Sequence, residues 1–255
     1  MKVSIITLTF NSEKSILRCL ESINSQSYKN IEHIIIDGKS TDSTINIINQ
    51  NSREAIVISE KDSGIYDAWN KGMKLATGDI IGTVMSDDYL KNTHSIKSVV
   101  EAFQEGEYDI VYGNMDFILN NEIIRKWRAG KFKKYKYYFG WMPPPPAVYI
   151  KKRIISENEL FNLKYKIGAD YEWLLRLFFI KNYNIFYLDK FIYTLEYGGI
   201  SNKSLKNVYD GNMENYQAWK DNNLSRFPFW VPIKPLFKIF QIKKISSFFS
   251  FYFKR

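Results

Sequence analysis

Two adjacent carboxylates, Asp87 and Asp88, follow a short apolar run at residues 80–85, with Ser86 just ahead of them. Such a run predicts a buried strand, and acids delivered at its end are hard oxygen donors of the kind that suit Mg²⁺ or Mn²⁺ holding a diphosphate. Equally, Asp87 could cap the next helix and Asp88 be solvated. A third acid, Asp37, ends another apolar run at residues 31–36. A fourth, Asp170, opens the apolar stretch GADYEWLLRL, two residues before Glu172. A carboxylate there can take a proton from an attacking hydroxyl; it can also be a helix cap, with Glu172 favouring the helix dipole.

These acids need a scaffold, and the spacing of apolar residues supplies one. Residues 2–10 read as a β-branched strand, Ser12 as an N-cap, and residues 15–27 as a helix with Ile16, Leu17, Leu20 and Ile23 on one face. Residues 31–36 are apolar enough for a strand covered on both sides, and Thr41 or Asp42 caps the helix from Ser43. Ile65, Ala68, Trp69, Gly72, Met73, Leu75 and Ala76 recur at helical spacing before the strand at 80–85. Successive strand-loop-helix units predict parallel strands with right-handed crossovers, so Asp37 and the Asp87 pair share the sheet edge where open α/β sheets form ligand crevices. Further on, residues 109–114 and 116–119 read as strands, Asn120-Asn121 as a hairpin turn, and 123–127 as the return. The four prolines of MPPPP predict a rigid extended loop. Short strands at 185–187 and 191–193 lead to EYGGIS, whose glycines can present backbone N–H groups to phosphate or simply turn.

A chain of 255 residues that is 45% hydrophobic can bury a full core, and one α/β domain plus an appendage is the expected organisation. The single cysteine, Cys19, excludes an intrachain disulfide or a cysteine-based zinc site and fits a reducing cytoplasm. His33 and His94 stand apart from other ligands. The chain opens on a strand rather than a signal peptide, and no run reaches the length of a transmembrane helix. The net charge of +9 is concentrated at residues 125–138 and 226–255, both free of acids. In the second stretch Lys and Arg alternate with Phe, Trp and Tyr, a pattern that suits an anionic membrane interface. Single-stranded nucleic acid would need a similar mix, but no nucleic-acid motif accompanies it. Packing back on the core, or a homodimer contact, is the other reading. Prolines 228, 232 and 235 delay any helix there until about Leu236.

Three stretches, SIITLTFNSEKSILRCLESINSQSYKNIEHIIIDGKSTDST, SEKDSGIYDAWNKGMKLATGDIIGTVMSDD and YKIGADYEWLLRL, stand in an order that resembles the family 2 glycosyltransferases of bacterial surface-polysaccharide and O-antigen synthesis. The resemblance covers roughly residues 1–200 and implies the GT-A fold, a Rossmann-like and mostly parallel sheet flanked by helices. With the composition of the tail, it gives a transferase domain at 1–225, with a nucleotide-sugar half at 1–115 and an acceptor half at 116–225, and a basic, aromatic, membrane-associating tail at 226–255. It also implies an inverting, metal-dependent transfer from a UDP-hexose or UDP-N-acetylhexosamine to a lipid-diphosphate-linked saccharide, at the inner face of the bacterial plasma membrane. Asp170 becomes the catalytic base. Thr9, Asp37, Asp62, Ser86 and Asp87 become donor contacts. Asp88, with Asp87, becomes the ligand of Mn²⁺ or Mg²⁺, its charge facing the ion rather than the core. Trp141, Tyr149 and Trp173 become acceptor contacts. Lys39 stands where the family usually has Gly or Asn, and Met85 where its Asp-x-Asp motif is often acidic. A nucleotidyltransferase would share the sheet and acids but usually carries a Gly-rich basic signature near the N-terminus, absent from SIITLTFNSEK. A non-catalytic carbohydrate-binding protein would be expected to have lost some of these carboxylates.

Overall fold

The computed structural model describes residues 1–52, 54–157, 159–197 and 205–224. The EYGGIS glycines and the tail at 226–255 lie outside the described residues. The first half alternates as the apolar periodicity requires: β1 (Val3–Thr9), α1 (Ile16–Asn24), β2 (Ile31–Asp37), α2 (Thr44–Asn51), β3 (Ile56–Ser59), α3 (Ile65–Leu75) and β4 (Ile80–Thr83). A two-residue β5 (Tyr89–Leu90) and α4 (Ser95–Gln104) follow. The second half holds the hairpin β6 (Ile110–Leu119) and β7 (Glu122–Trp127), then β8 (Val148–Lys151), α5 (Arg153–Ser156), α6 (Ala169–Leu175), β9 (Ile185–Glu196) and α7 (Leu205–Asp221).

The nine strands of the described residues join one sheet, ordered β3-β2-β1-β4-β8-β6-β9-β5, with β7 paired to β6. From β3 to β4 every pair is parallel, as the crossover rule predicts. Antiparallel pairs enter with β8, which links β4 to β6, while β6 and β9 run parallel. One face of the sheet is covered by α1, α2 and α4 through Cys19, Leu20, Ile48, Val99 and Phe103. The other is covered by α3, α6 and α7 through Trp69, Met73, Leu174 and Trp219. Contact on that second face is close: a Cβ on Gly72 of α3 would stand 2.4 Å from Ile6 Cγ2 of β1. Only glycine lets the helix lie so near the strand.

Several elements differ from the sequence reading, each for a local reason. The two expected strands at 109–119 are one strand with a register shift at Phe117/Ile118, and Asn120 and Asn121 turn it with φ of 50° and 63°. Asparagine tolerates that left-handed region, so the hairpin is tight. The two short strands after residue 184 are likewise one long β9 with register shifts opposite Asn114. The proline loop contains a 3₁₀ turn at Pro145–Ala147, because proline is tolerated in a first helical turn. The helix expected to run on to Leu177 stops at Leu175 and continues as a π-turn, Arg176–Ile180.

Two groups on β2 carry a pH dependence. Burial draws the Glu32 carboxyl upward, but bonds from Lys2 Nζ (2.6 Å), Ser4 Oγ (2.5 Å) and the Thr77 amide (2.8 Å) and hydroxyl (2.5 Å) outweigh it and hold the group at about 2, below its ordinary 4.5. Burial lowers the His33 imidazole from 6.5 to about 4. Both folded values lie below the unfolded ones, so stability is complete above pH 6.5 and is lost as pH falls, first through the His33 window and then through the Glu32 window. Melting temperature against pH should therefore drop in two stages, with His33→Gln removing the upper and Glu32→Gln the lower. A flat profile between pH 6.5 and 4 would disprove the histidine contribution.

Candidate active site

Parallel register brings the ends of the first strands together: Thr9 is opposite Asp37, and Asp37 opposite Ser59. Asp37 has no exposed surface. Its Oδ2 accepts from the Ser40 amide (3.0 Å) and the Ser59 hydroxyl (2.7 Å), and its Oδ1 from the Ser40 hydroxyl (2.5 Å). The carboxylate thus fixes the loop at 38–40 at the C-terminal edge of the parallel strands. After β3, Asp62 Oδ1 receives Lys71 Nζ at 2.7 Å, an ammonium also paired with Glu60. Thr9 Oγ1 is buried and has no hydrogen-bond partner among the described residues. Phe10, which the sequence reading passed over, leaves its ring 61% exposed beside Gly38. A planar base could lie on that ring.

Lys39 takes φ of 66°. Gly and Asn suit such a position, and a side chain there costs on the order of 1 kcal/mol. Lys39→Gly should therefore raise stability by up to about 1 kcal/mol in chemical denaturation, whereas Lys39→Ala keeps the strain and should not. Equal stability of the two variants would contradict this.

At the end of β4, Ser86 is nearly buried; its amide donates to Leu8 O at 3.2 Å and its hydroxyl meets Ser12 Oγ at 2.9 Å. The next two residues point apart. Asp87 is exposed, and its carbonyl accepts from Arg18 Nη2 at 2.9 Å. Asp88 is only 3% exposed; its Oδ2 accepts from Tyr193 OH and its Oδ1 from the Glu196 amide, both at 2.9 Å. The expectation that the Asp88 charge faces outward is corrected here: β5 pairs with β9, and that pairing turns the carboxylate toward the core. Burial, and then the neighbouring Asp87, push the Asp88 carboxyl well above the usual range. Among the described residues no three His, Cys, Asp or Glu side chains form a metal cage. One exposed carboxylate, Asp87, at the C-terminal edge of the strands nonetheless fits a hard cation that takes most of its ligands from substrate phosphate and water.

Asp170 lies in the first turn of α6, half-buried, with Oδ1 accepting its neighbour Tyr171's amide at 2.7 Å. The loop leading to it is held from two helices. Tyr66, at the start of α3, donates its hydroxyl to Ile167 O at 2.7 Å, and its phenol is pushed up by burial and then by Asp170. Glu214 of α7 accepts the Lys166, Ile167 and Gly168 amides at 3.0, 2.8 and 2.7 Å. Because α3 starts from the loop that carries Asp62, Tyr66 brings Asp170 to the same strand edge. Glu172 is different. It is 3% exposed and bound to Arg176 Nε at 2.8 Å, a pair that also takes in Glu159.

The chain has known relatives. The family model described as "Glycosyl transferase family 2" matches residues 4–208. This chain belongs to that family. A "PGL/p-HBAD biosynthesis glycosyltransferase" of Mycobacterium bovis is 31% identical over 205 residues, 78% of each chain. Among solved structures, S. aureus TarS 1-349 in complex with UDP-GlcNAc is similar at a TM-score of 0.67 and 21% identity, over 86% of this chain and 64% of that one. The chain therefore spans less than two thirds of the TarS structure. A mannosyltransferase of Pyrobaculum calidifontis, in complex with GDP-Man and Mn²⁺, is similar at 0.61 and 16%, over 90% and 68%. These likenesses establish the GT-A fold.

Two of the acceptor contacts expected of this family 2 glycosyltransferase are core residues. Tyr149 is fully buried, its ring filling the space that a side chain on Gly82 would take, so it cannot offer a face to a sugar. Trp173 is 4% exposed, donates Nε1 to Glu159 O at 2.7 Å and lies tilted 4.8 Å from Phe161. It faces inward because α6 packs that side on the segment at 159–161, whose Phe161 meets Trp69 of α3. Trp141 is half-buried, with Nε1 on Ala129 O at 2.7 Å and its ring among Tyr112, Phe132 and Tyr137. Tyr66, Arg18 and Glu214 escaped the sequence reading because each acts through a backbone group remote in sequence. Only folding reveals such partners.

Proposed function

We propose that the chain is an inverting glycosyltransferase that moves a sugar from a UDP-hexose or UDP-N-acetylhexosamine to a lipid-diphosphate-linked saccharide in bacterial surface-polysaccharide synthesis, working peripherally at the cytoplasmic face of the membrane. The observation that carries this reading is Asp170, presented at the helix start between Tyr66 and Glu214, on the edge that holds Asp37, Asp62 and Asp87. Thr9 and Phe10 receive the nucleoside, with Asp37 fixing the loop at 38–40 and Asp62 beside it. Asp87 at the strand edge, backed by Asp88 and Ser86, would hold Mn²⁺ or Mg²⁺. When bound, the cation supplies Lewis-acid neutralisation of the departing diphosphate. Asp170 takes the proton from the acceptor hydroxyl as it attacks the anomeric carbon from the side opposite the nucleotide, which inverts configuration.

The UDP-GlcNAc bound in TarS supports a uridine donor, and the Mn²⁺ of the mannosyltransferase supports a cation. No helix among the described residues is long and apolar enough to cross a membrane. The test is purified protein incubated with a panel of nucleotide sugars and a synthetic lipid-diphosphate acceptor, with the product's anomeric configuration read by NMR. Release of UDP and an inverted product is the expected result. Retention of configuration, or release of pyrophosphate in place of a nucleoside diphosphate, would refute it.

A further inference from the structure

Away from that edge, one surface has a composition that core formation does not require. Residues 123–156 contain no Asp or Glu. The middle of this stretch folds as a 3₁₀ turn, Lys134–Phe139, with two unlike sides. Tyr137 forms the inner side: it is fully buried and donates to Leu174 O of α6 at 3.1 Å, while Tyr138 is 40% exposed with its ring 5.3 Å from that of Trp219 of α7. On the outer side Tyr135 is 56% exposed and Phe139 48%, flanked by exposed Lys131, Lys133 and Lys134. Water is a poor solvent for half-exposed rings, and lysines without intervening acids repel a basic partner.

The nature of the occupant follows from shape and charge. A short turn is convex, so it offers no groove for a peptide or helix. Exposed rings among lysines match an interface where rings enter a headgroup layer and ammonium groups meet anionic lipid. The patch also adjoins the end of α7, after which the sequence runs into the acid-free, Phe-rich residues 226–255. We propose that residues 131–139 dock the transferase domain on an anionic lipid bilayer. The inference rests on the proposed lipid-linked acceptor for its purpose: the patch packs on the C-terminal end of α6, whose first turn carries Asp170, so one short helix separates the bilayer from the base.

The experiment uses the full chain and two vesicle preparations, phosphatidylcholine alone and phosphatidylcholine with about one third phosphatidylglycerol. The unaltered chain should bind the mixed vesicles and lose binding as salt rises. With each lysine worth about fivefold, the double variant Lys131→Gln/Lys133→Gln should bind about 25-fold more weakly. Tyr135→Ser should lower binding by about tenfold. Both variants should keep the melting temperature and the transfer rate on a short soluble acceptor, while losing transfer to an acceptor embedded in mixed vesicles. Undiminished vesicle binding by both variants would overturn the proposal, as would equal binding to the two preparations. Loss of single-stranded oligonucleotide binding with vesicle binding intact would assign the surface to nucleic acid and overturn it too. If the unaltered chain transfers no sugar to the soluble acceptor, the proposed activity fails while the vesicle measurement still decides the docking surface.

Discussion

Asp170→Asn should lower the rate of sugar transfer by about two to four orders of magnitude while donor binding and melting temperature stay close to those of the unaltered chain. Asparagine keeps the size of the side chain and the oxygen that accepts the Tyr171 amide, but it cannot take a proton at neutral pH. The neighbouring acid provides the control. Glu172 is held by Arg176 Nε at 2.8 Å and by Asn222 Nδ2 at 3.2 Å, buried under α7. Glu172→Gln breaks a buried ion pair and should cost up to about 3 kcal/mol, the low end for such pairs because Glu159 still accompanies Arg176. Its activity, measured below its melting temperature, should persist. Steady-state kinetics with calorimetry on both variants separates the roles. A stable but inactive Glu172→Gln beside an active Asp170→Asn would move the base to Glu172.

That contrast also marks how far the sequence could be read. Alternation of apolar strands and helices recurs from Val3 to Thr83, and parallel pairing from β3 to β4 follows from it; the order β3-β2-β1-β4 does not, since one hand of crossover allows several orders. The carboxylates at the strand ends were legible for the same reason: position in a strand determines which edge a residue occupies. Orientation was not. Asp87 and Asp88 are adjacent, and only the pairing of β5 with β9, more than a hundred residues apart, determines that Asp88 turns inward to Tyr193. Tyr149 and Trp173 look like sugar platforms in sequence because aromatic rings serve both cores and saccharides. The small Gly82 opposite Tyr149 makes the difference, and it lies on another strand. Glu214 gave no signal at all, since the amides that it binds carry no side-chain signature.

Removing the divalent cation with EDTA should abolish transfer, and Asp87→Ala should reproduce much of that loss without unfolding the chain. The geometry separates the two acids of the pair. Asp87 is exposed at the strand edge whereas Asp88 is buried, so loss of the Asp87 carboxylate disturbs the fold less, and the melting curve of its variant shows how far the rate reports on the cation. Asp88→Ala would instead leave the Tyr193 hydroxyl and the Glu196 amide without their acceptor in a buried place, at a cost of about 1–3 kcal/mol. Its inactivity alone would therefore say little about metal. Asp88→Asn retains an acceptor and should fall between the two in stability. The decisive measurement is transfer rate against Mn²⁺ and Mg²⁺ concentration for the unaltered chain and Asp87→Ala, with melting curves alongside. Asp87→Ala should need at least tenfold more cation for half-maximal rate, about 1.4 kcal/mol of lost cation binding, because one charged ligand is gone and the diphosphate remains. Full activity of the unaltered chain in EDTA would remove the cation from the reaction. An unchanged cation requirement in Asp87→Ala would move the principal ligand inward to Asp88, and β9 would then have to release that carboxylate when the donor binds.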